Sequence, residues 1–362
     1  MGRLREKFTA PGAGIRRDGY GPAEMSSKAP GRGIGYSAAM HSRIAATLIV
    51  LVLALAACGA PGAVSSPTAA PAASPGASGA CAAAPDPGQP QGWGRPSPAP
   101  AVLPILINPT GELTCGANRL LFSFLDSQNR PVGKPDRTAS VALYNLARDA
   151  SRPAVTVSGT FVWAIEGSVG IYVANVSFAE AGVWGAEFTT AAAGARTDTV
   201  RMTFSVSPST KVVRVGQKAP ASKTPTGDPA TISTDTRPDP AFYATSVDAA
   251  LADRKPFVLV FATPKFCASG QCGPTLERIK PFKATYPSVT FINVEPYQLK
   301  LDGGQLQPVL TQNQLTPAQS TIEWGLPAEP WVFVVDRDGI VRGSLSLIFG
   351  DAELAAAIDL VK

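Results

Sequence analysis

The spacing of hydrophobic positions changes three times along this 362-residue chain, and each change marks a different kind of element. Ile44 to Ala57 is an apolar run of 14 residues, short of the roughly 20 that a membrane-spanning helix takes. Between residues 101 and 210 apolar and polar positions alternate in short runs. Examples are Leu120-Leu121-Phe122-Ser123-Phe124-Leu125, Ser140-Val141-Ala142-Leu143-Tyr144, Thr160-Phe161-Val162-Trp163-Ala164, Ile171-Tyr172-Val173-Ala174-Asn175-Val176 and Val200-Arg201-Met202-Thr203-Phe204-Ser205-Val206. A period of two belongs to strands with one face buried. Turn clusters such as Asp126-Ser127-Gln128-Asn129-Arg130-Pro131 separate the runs, so the region predicts an antiparallel β-sandwich.

From Ala241 to Lys362 apolar strands alternate with helical stretches, the pattern of an α/β sheet with crossover helices. Ser246 can cap a helix through Asp253, residues 256–262 predict a buried strand, and Thr275 to Thr285 a helix bent near Pro281. Ser288 to Val294 predicts the next strand. Trp331 to Val335, the turn Asp336-Arg337-Asp338-Gly339, and Ile340 to Leu347 predict a hairpin, and Asp351 to Lys362 a closing helix. Two segments carry no period. Residues 58–100 are Ala, Pro, Gly and Ser, and read as a disordered tether that cannot bury enough surface to order itself. Residues 211–240, rich in Pro, Thr and Ser, read as a linker or extended lead-in. The expected architecture is multidomain, a sandwich followed by an α/β domain.

Composition changes the picture mainly at the amino terminus. The apolar run suits the core of a signal peptide, and it ends in Leu55-Ala56-Ala57-Cys58, which resembles the lipobox of bacterial lipoproteins. That resemblance implies cleavage before Cys58, lipidation of Cys58, and a protein held on the extracytoplasmic face of a membrane by its lipid. Signal peptides begin close to their apolar run, and Met40-His41-Ser42-Arg43 makes a normal basic start, so translation is expected to begin at Met40. Residues 1–57 hold eight of the 32 Lys/Arg and three of the 27 Asp/Glu, which leaves 24 of each in the mature chain. The mature protein is near neutral, so no basic footprint for nucleic acid is expected.

The single histidine, His41, lies in that leader, and of the four methionines only Met202 does not. A mature chain without histidine cannot run Ser-His or Cys-His chemistry or offer imidazole to a metal. No metal site and no cofactor are expected. The cysteines beyond Cys58 are Cys81, Cys115, Cys267 and Cys272, compatible with two disulfides in three pairings. Cys81 and Cys115 could pair and pin the tether to the sandwich, or either could be a lone small apolar residue.

Cys267 and Cys272 follow the strand Phe257-Val258-Leu259-Val260-Phe261-Ala262 directly. A cysteine delivered by a buried strand to a helix amino terminus is set up for thiol chemistry, because unpaired N–H groups there stabilise a thiolate. Lys265 adds positive charge nearby in sequence. Cys267 is the candidate nucleophile, and Cys272 would resolve the mixed disulfide. Five residues apart, at about 100° per residue, the two would differ by roughly 140° on a regular helix and could not bond. Either the helix begins near Cys272, leaving Ala268 to Gln271 as a loop, or it unwinds on oxidation. Gly270 and Gly273-Pro274 favour the loop.

With its Cys272-Gly273-Pro274 motif, the segment Ala328-Glu329-Pro330-Trp331-Val332-Phe333-Val334-Val335-Asp336 and the terminal hairpin and helix, the region 213–362 resembles the thioredoxin fold. Val213-Arg214-Val215-Gly216-Gln217-Lys218-Ala219-Pro220 is similar to the lead-in of TlpA- and peroxiredoxin-type members. The resemblance puts Pro330 in the place of the family's cis-proline, with Glu329 and Phe266 beside it as substrate-binding residues. Its partners would be protein thiols or disulfides and a redox partner. Phe178-Ala179-Glu180-Ala181-Gly182-Val183-Trp184-Gly185 loosely resembles immunoglobulin-like periplasmic modules of the FixH/YtkA kind. The function expected is that of a membrane-anchored extracytoplasmic thiol–disulfide oxidoreductase. One alternative is a binding module with a structural disulfide. Another is a peroxiredoxin-like peroxidase, although that family's Thr or Ser three residues before the cysteine is Pro264 here, with Thr263 one position early. Copper-delivery proteins of the Sco type need a histidine that the mature chain lacks.

Overall fold

The computed structural model of the protein describes residues 81–95 and 100–362. The leader, the start at Met40, the lipidated Cys58 and the tether up to residue 80 lie outside the described residues. Among the described residues no helix is long and apolar enough to cross a membrane.

The first lobe is a β-sandwich of two antiparallel four-stranded sheets. Its strands are β1 (Val102–Leu106), β2 (Gly116–Asp126), β3 (Thr138–Asn145), β4 (Val155–Ser158), β5 (Thr160–Ile165), β6 (Val169–Phe178), β7 (Gly182–Ala191) and β8 (Asp198–Val206). The sheet orders are β1-β2-β6-β5 and β4-β3-β7-β8. Alternation decides the faces. Leu120, Phe122 and Phe124 of β2 point between the sheets and meet Val141, Leu143, Tyr172, Ala186 and Phe188. Leu121, one residue out of phase, points outward and packs with Ile171 and Val173 against Leu347 and Ile348 of the second lobe.

Residues 81–95 correct the expectation of a tether running to residue 100. Cys81 is disulfide-bonded to Cys115, and its N–H donates to the Pro208 carbonyl at 3.1 Å. Ala84 N–H and the Ala181 carbonyl are 2.8 Å apart, and Ala181 N–H returns a bond to Ala82 at 2.9 Å. Trp93 is buried: its indole N–H donates to Ala150 O at 2.9 Å, and its ring meets Tyr144 edge-on at 4.8 Å. Gly185 makes room for it, since a Cβ there would stand 2.3 Å from the indole. Averaged composition concealed one large apolar anchor and one covalent tie. Among the described residues, the chain is tied to the sandwich from Cys81 onward.

The second lobe is built on a mixed sheet in the order β10-β9-β15-β16. It contains α1 (Pro229–Ile232), α2 (Val247–Ala252), β9 (Phe257–Phe261), α3 (Cys272–Ile279), α4 (Phe282–Thr285), β10 (Thr290–Val294), the hairpin β11 (Leu299–Asp302) and β12 (Gln305–Pro308), and the short β13 (Leu310–Thr311) and β14 (Gln314–Leu315). Then come α5 (Gln319–Glu323), β15 (Trp331–Val335), β16 (Val341–Ser346) and α6 (Asp351–Asp359). β9 and β10 are parallel, whereas β15 runs antiparallel to β9 and to β16. Both faces of β9 are covered, which explains its continuous apolar run. Val258 and Val260 meet Leu276 and Ile279 of α3 and Leu354 and Ile358 of α6. Phe257, Leu259 and Phe261 meet Val247, Trp324 and Phe333 on the other face. Each such side chain contributes about 1.5–3 kcal/mol on leaving water.

The stretch 211–240 is an extended lead-in rather than a free linker. Val212 and Val213 are buried in the second lobe, and Gly216 N–H bonds Val341 O at 2.8 Å while Val341 N–H bonds Gln217 O at 2.9 Å. The expected helix at 275–285 is two helices with Pro281 between them.

Both lobes fall within one compact unit. Arg119 of β2 places Nε 2.5 Å from Glu353 Oε1 and Nη2 2.9 Å from Glu353 Oε2 on α6, and Nη2 also bonds Ile348 O at 2.9 Å. Arg278 of α3 donates to Phe349 O and, at 3.4 Å, to Trp163 O of β5. Ser346 Oγ donates to Glu112 Oε1 at 2.7 Å.

Candidate functional site

β9 ends at Phe261, and a turn closed by Phe266 N–H on Thr263 O (3.2 Å) carries the chain to Cys267. Ala268, Ser269 and Gly270 form an exposed loop in which Gly270 takes φ +70°, a conformation that favours glycine. Helix α3 starts at Cys272, with Pro274 in its first turn where no N–H is missed. The loop thus resolves the spacing problem: Cys267 and Cys272 are disulfide-bonded with Cα atoms 6.0 Å apart. Cys267 is half-buried and Cys272 is fully buried. Cys272 N–H, the first of the helix, donates to Cys267 Sγ at 3.2 Å. Ser269 Oγ lies 3.3 Å from the same sulfur.

Glu329 is the residue that reading the sequence undervalued. Its carboxylate is buried, 5% exposed, and one of its oxygens and the two sulfurs all lie within 4.8 Å of one another. Oε1 accepts from Ala268 N–H at 3.1 Å, and Oε2 accepts from the Tyr297 hydroxyl at 2.7 Å. Ser269 Oγ donates to the Glu329 carbonyl at 3.0 Å, so Glu329 grips both sides of the loop between the cysteines. Burial first, and the Glu329 carboxylate second, push the Tyr297 phenol above its ordinary value. Glu329 takes part in no ion pair among the described residues.

Pro330 is buried, follows a cis peptide from Glu329, and immediately precedes β15. Phe266 is half-buried, with the Lys265 ammonium 5.5 Å from its ring centroid. Lys265 does not serve the sulfur as expected, because its ammonium donates to Leu306 O on β12 at 3.1 Å. Cys267 Sγ, Cys272 Sγ and a Glu329 carboxylate oxygen converge, three side-chain atoms of types that can ligate a metal. Glu329 lies 57 residues beyond Cys272 in sequence, and its place beside Pro330 marked it as a substrate-binding candidate without showing its bond to the loop between the cysteines.

Beneath the turn lies a second buried carboxylate. Glu295 Oε1 accepts from Thr234 N–H at 2.6 Å and from Thr234 Oγ1 at 2.7 Å. Thr234 Oγ1 in turn accepts from Lys265 N–H at 3.2 Å, which fixes the residues leading into Cys267. Glu295 Oε2 is buried without a partner among the described residues. Burial is the main cause that pushes the Glu295 carboxyl above its ordinary range, against the hydrogen bonds from Thr234.

The sandwich borders this site. Ala328 packs on the cluster of Leu121, Ala164, Ile171 and Val173, and Ala164 shares a narrow cleft with Gln271 and Pro274. A larger cavity of about 420 Å³, lined by Thr110, Ser209–Val212, Pro317, Ile322 and Leu326, includes none of the cysteine-site residues.

No family model matches the chain, and no curated protein matches it. A solved structure of a DUF4426 family protein from Pseudomonas aeruginosa PAO1 is similar at 13% identity, over 30% of this chain and 89% of that one, with a TM-score of 0.22. A likeness that faint bears on neither fold nor function.

Proposed function

We propose that the second lobe is a thioredoxin-like domain that exchanges thiols and disulfides, and that the immunoglobulin-like sandwich docks it. The observation that carries this reading is the asymmetry of the cysteine pair: one sulfur half-buried and held by a helix-terminal N–H, the other fully buried behind it. An N–H aimed at a sulfur favours its thiolate, and accessibility selects which cysteine meets a partner. In the reducing direction the Cys267 thiolate attacks a substrate disulfide, forming a mixed disulfide and releasing one substrate thiolate. The Cys272 thiolate then attacks Cys267 Sγ, releasing the second substrate thiolate and closing the internal disulfide. Two electrons pass from the dithiol to the substrate, and oxidation of a substrate dithiol runs the same steps backwards. Phe266, Glu329 and Pro330, next to the cysteine pair, would meet the partner. A lipid on Cys58 would hold the whole outside the cytoplasm, where protein disulfides persist.

The peroxidase reading loses support. Thr263, one position from where that family carries its Thr or Ser, is fully buried and faces Thr234 at 3.5 Å. Insulin reduction and refolding of a scrambled-disulfide protein are the tests, with wild type compared against Cys267→Ser. Turnover by wild type that the variant loses is the expected outcome. Equal rates, or a Cys267–Cys272 bond that dithiothreitol leaves intact in the native protein, would refute the proposal.

A further inference from the structure

We propose that the reduced site binds zinc(II) through Cys267 Sγ, Cys272 Sγ and a Glu329 carboxylate oxygen, which shuts off thiol exchange while the metal is held. This rests on the pair being reducible, as the exchange reading requires. Ligand atoms around a tetrahedral zinc, at about 2.3 Å for sulfur and about 2.0–2.2 Å for oxygen, stand roughly 3.5–3.8 Å apart. The Glu329 oxygen lies within 4.8 Å of both sulfurs, so it closes on such an ion by moving about 1 Å or less, while the two sulfurs move apart once their bond is broken. Charge points the same way. Glu329 is buried without a cationic partner among the described residues, and two thiolates with a carboxylate make an anionic donor set that a divalent cation neutralises.

The surroundings already orient the donors. Ala268 N–H and the Tyr297 hydroxyl hold one Glu329 oxygen each, and each oxygen keeps a lone pair for a metal. Cys272 N–H plays that part for Cys267 Sγ. Two thiolates with one carboxylate suit zinc, whereas magnesium and calcium call for all-oxygen sites and copper(I) for softer sets. Three protein ligands leave the fourth position for water.

The steps balance. A phosphine reductant and water break the S–S bond, form two S–H bonds and leave the phosphine as its oxide, a two-electron reduction. Zinc then displaces two protons as two Zn–S bonds form and the carboxylate joins them. Zinc-bound sulfur is withheld from attack until the metal leaves.

The purified full chain, reduced under argon, freed of phosphine and checked by alkylation mapping for thiols at Cys267 and Cys272, is titrated with cobalt(II) and then with zinc(II). The expected result is one cobalt per chain, with thiolate charge-transfer absorption and intense tetrahedral visible bands, displaced by zinc. Unreduced protein should show neither. Glu329→Gln, which keeps an oxygen for its neighbours, should weaken cobalt binding at least about tenfold. Cys272→Ser should halve the charge-transfer intensity. Reduced protein with both thiols mapped but no cobalt bands, or equal affinity in Glu329→Gln, overturns the metal site and leaves exchange intact. Failure to generate the two thiols overturns both.

Discussion

The two disulfides have nearly the same span, with Cα atoms 5.9 Å apart at Cys81–Cys115 and 6.0 Å at Cys267–Cys272, yet they sit in opposite chemical settings. The first closes a separation of 34 residues, the second only 5. Around Cys81 the neighbours are carbonyl oxygens: Pro208 O on its N–H, and Ser207 O 3.8 Å from its sulfur. Carbonyls stabilise no thiolate. Around Cys267 stand a helix-terminal N–H, a hydroxyl and a buried carboxylate. If the second bond opens as proposed, it is set apart from the first by the N–H and hydroxyl around its sulfur rather than by its span.

Breaking each bond separately tests that contrast most sharply. Cys267→Ser should abolish turnover in the insulin assay at a stability cost of about 2 kcal/mol, because the ring it opens is short. Cys81→Ser should do the reverse, lowering stability in urea unfolding by about 3–4 kcal/mol while folded molecules keep their turnover rate. Loss of turnover in the folded Cys81→Ser protein would erase the distinction. Trp93→Ala should cost about 3 kcal/mol with the disulfide intact, since it empties a buried site. A negligible change would mean that the covalent tie alone holds residues 81–95.

Arg119→Ala strikes the border between the lobes and strands Glu353, at a cost of about 1–3 kcal/mol. Calorimetry should then resolve two transitions where wild type gives one. The smallest effect concerns Glu295. Its carboxyl is raised by burial, so the folded state favours the protonated form, and its contribution is fully present below the unfolded-state pKa. That contribution declines as pH rises through the raised folded-state value. Glu295→Gln removes the ionisation, so the thermal midpoint of wild type should fall relative to the variant as pH increases. A constant difference across pH would show that Glu295 does not titrate on folding.

The strands were legible because alternation and continuous apolar runs follow directly from which faces are covered, as β2 and β9 show. The start of α3 at Cys272 was legible too, from Gly270 and Pro274. What stayed hidden was set by chain reversal rather than local pattern. Glu329 reaches the cysteines, and Tyr297 reaches Glu329, only because β15 is antiparallel to β9 and the segment after β10 folds back. Trp93 was hidden for another reason, since one aromatic in a long Ala/Pro/Gly stretch barely moves the average.

Strand β2 faces two ways, with Phe122 and Phe124 turned inward and Leu121 and Arg119 turned toward the second lobe. That gives a rule for cutting the gene. A fragment beginning at residue 211, where composition draws the border, would present Leu347 and Ile348 to water and leave Glu353 without its guanidinium, which invites aggregation. The shortest segment to express as a soluble piece starts ahead of Cys81 and runs to Lys362.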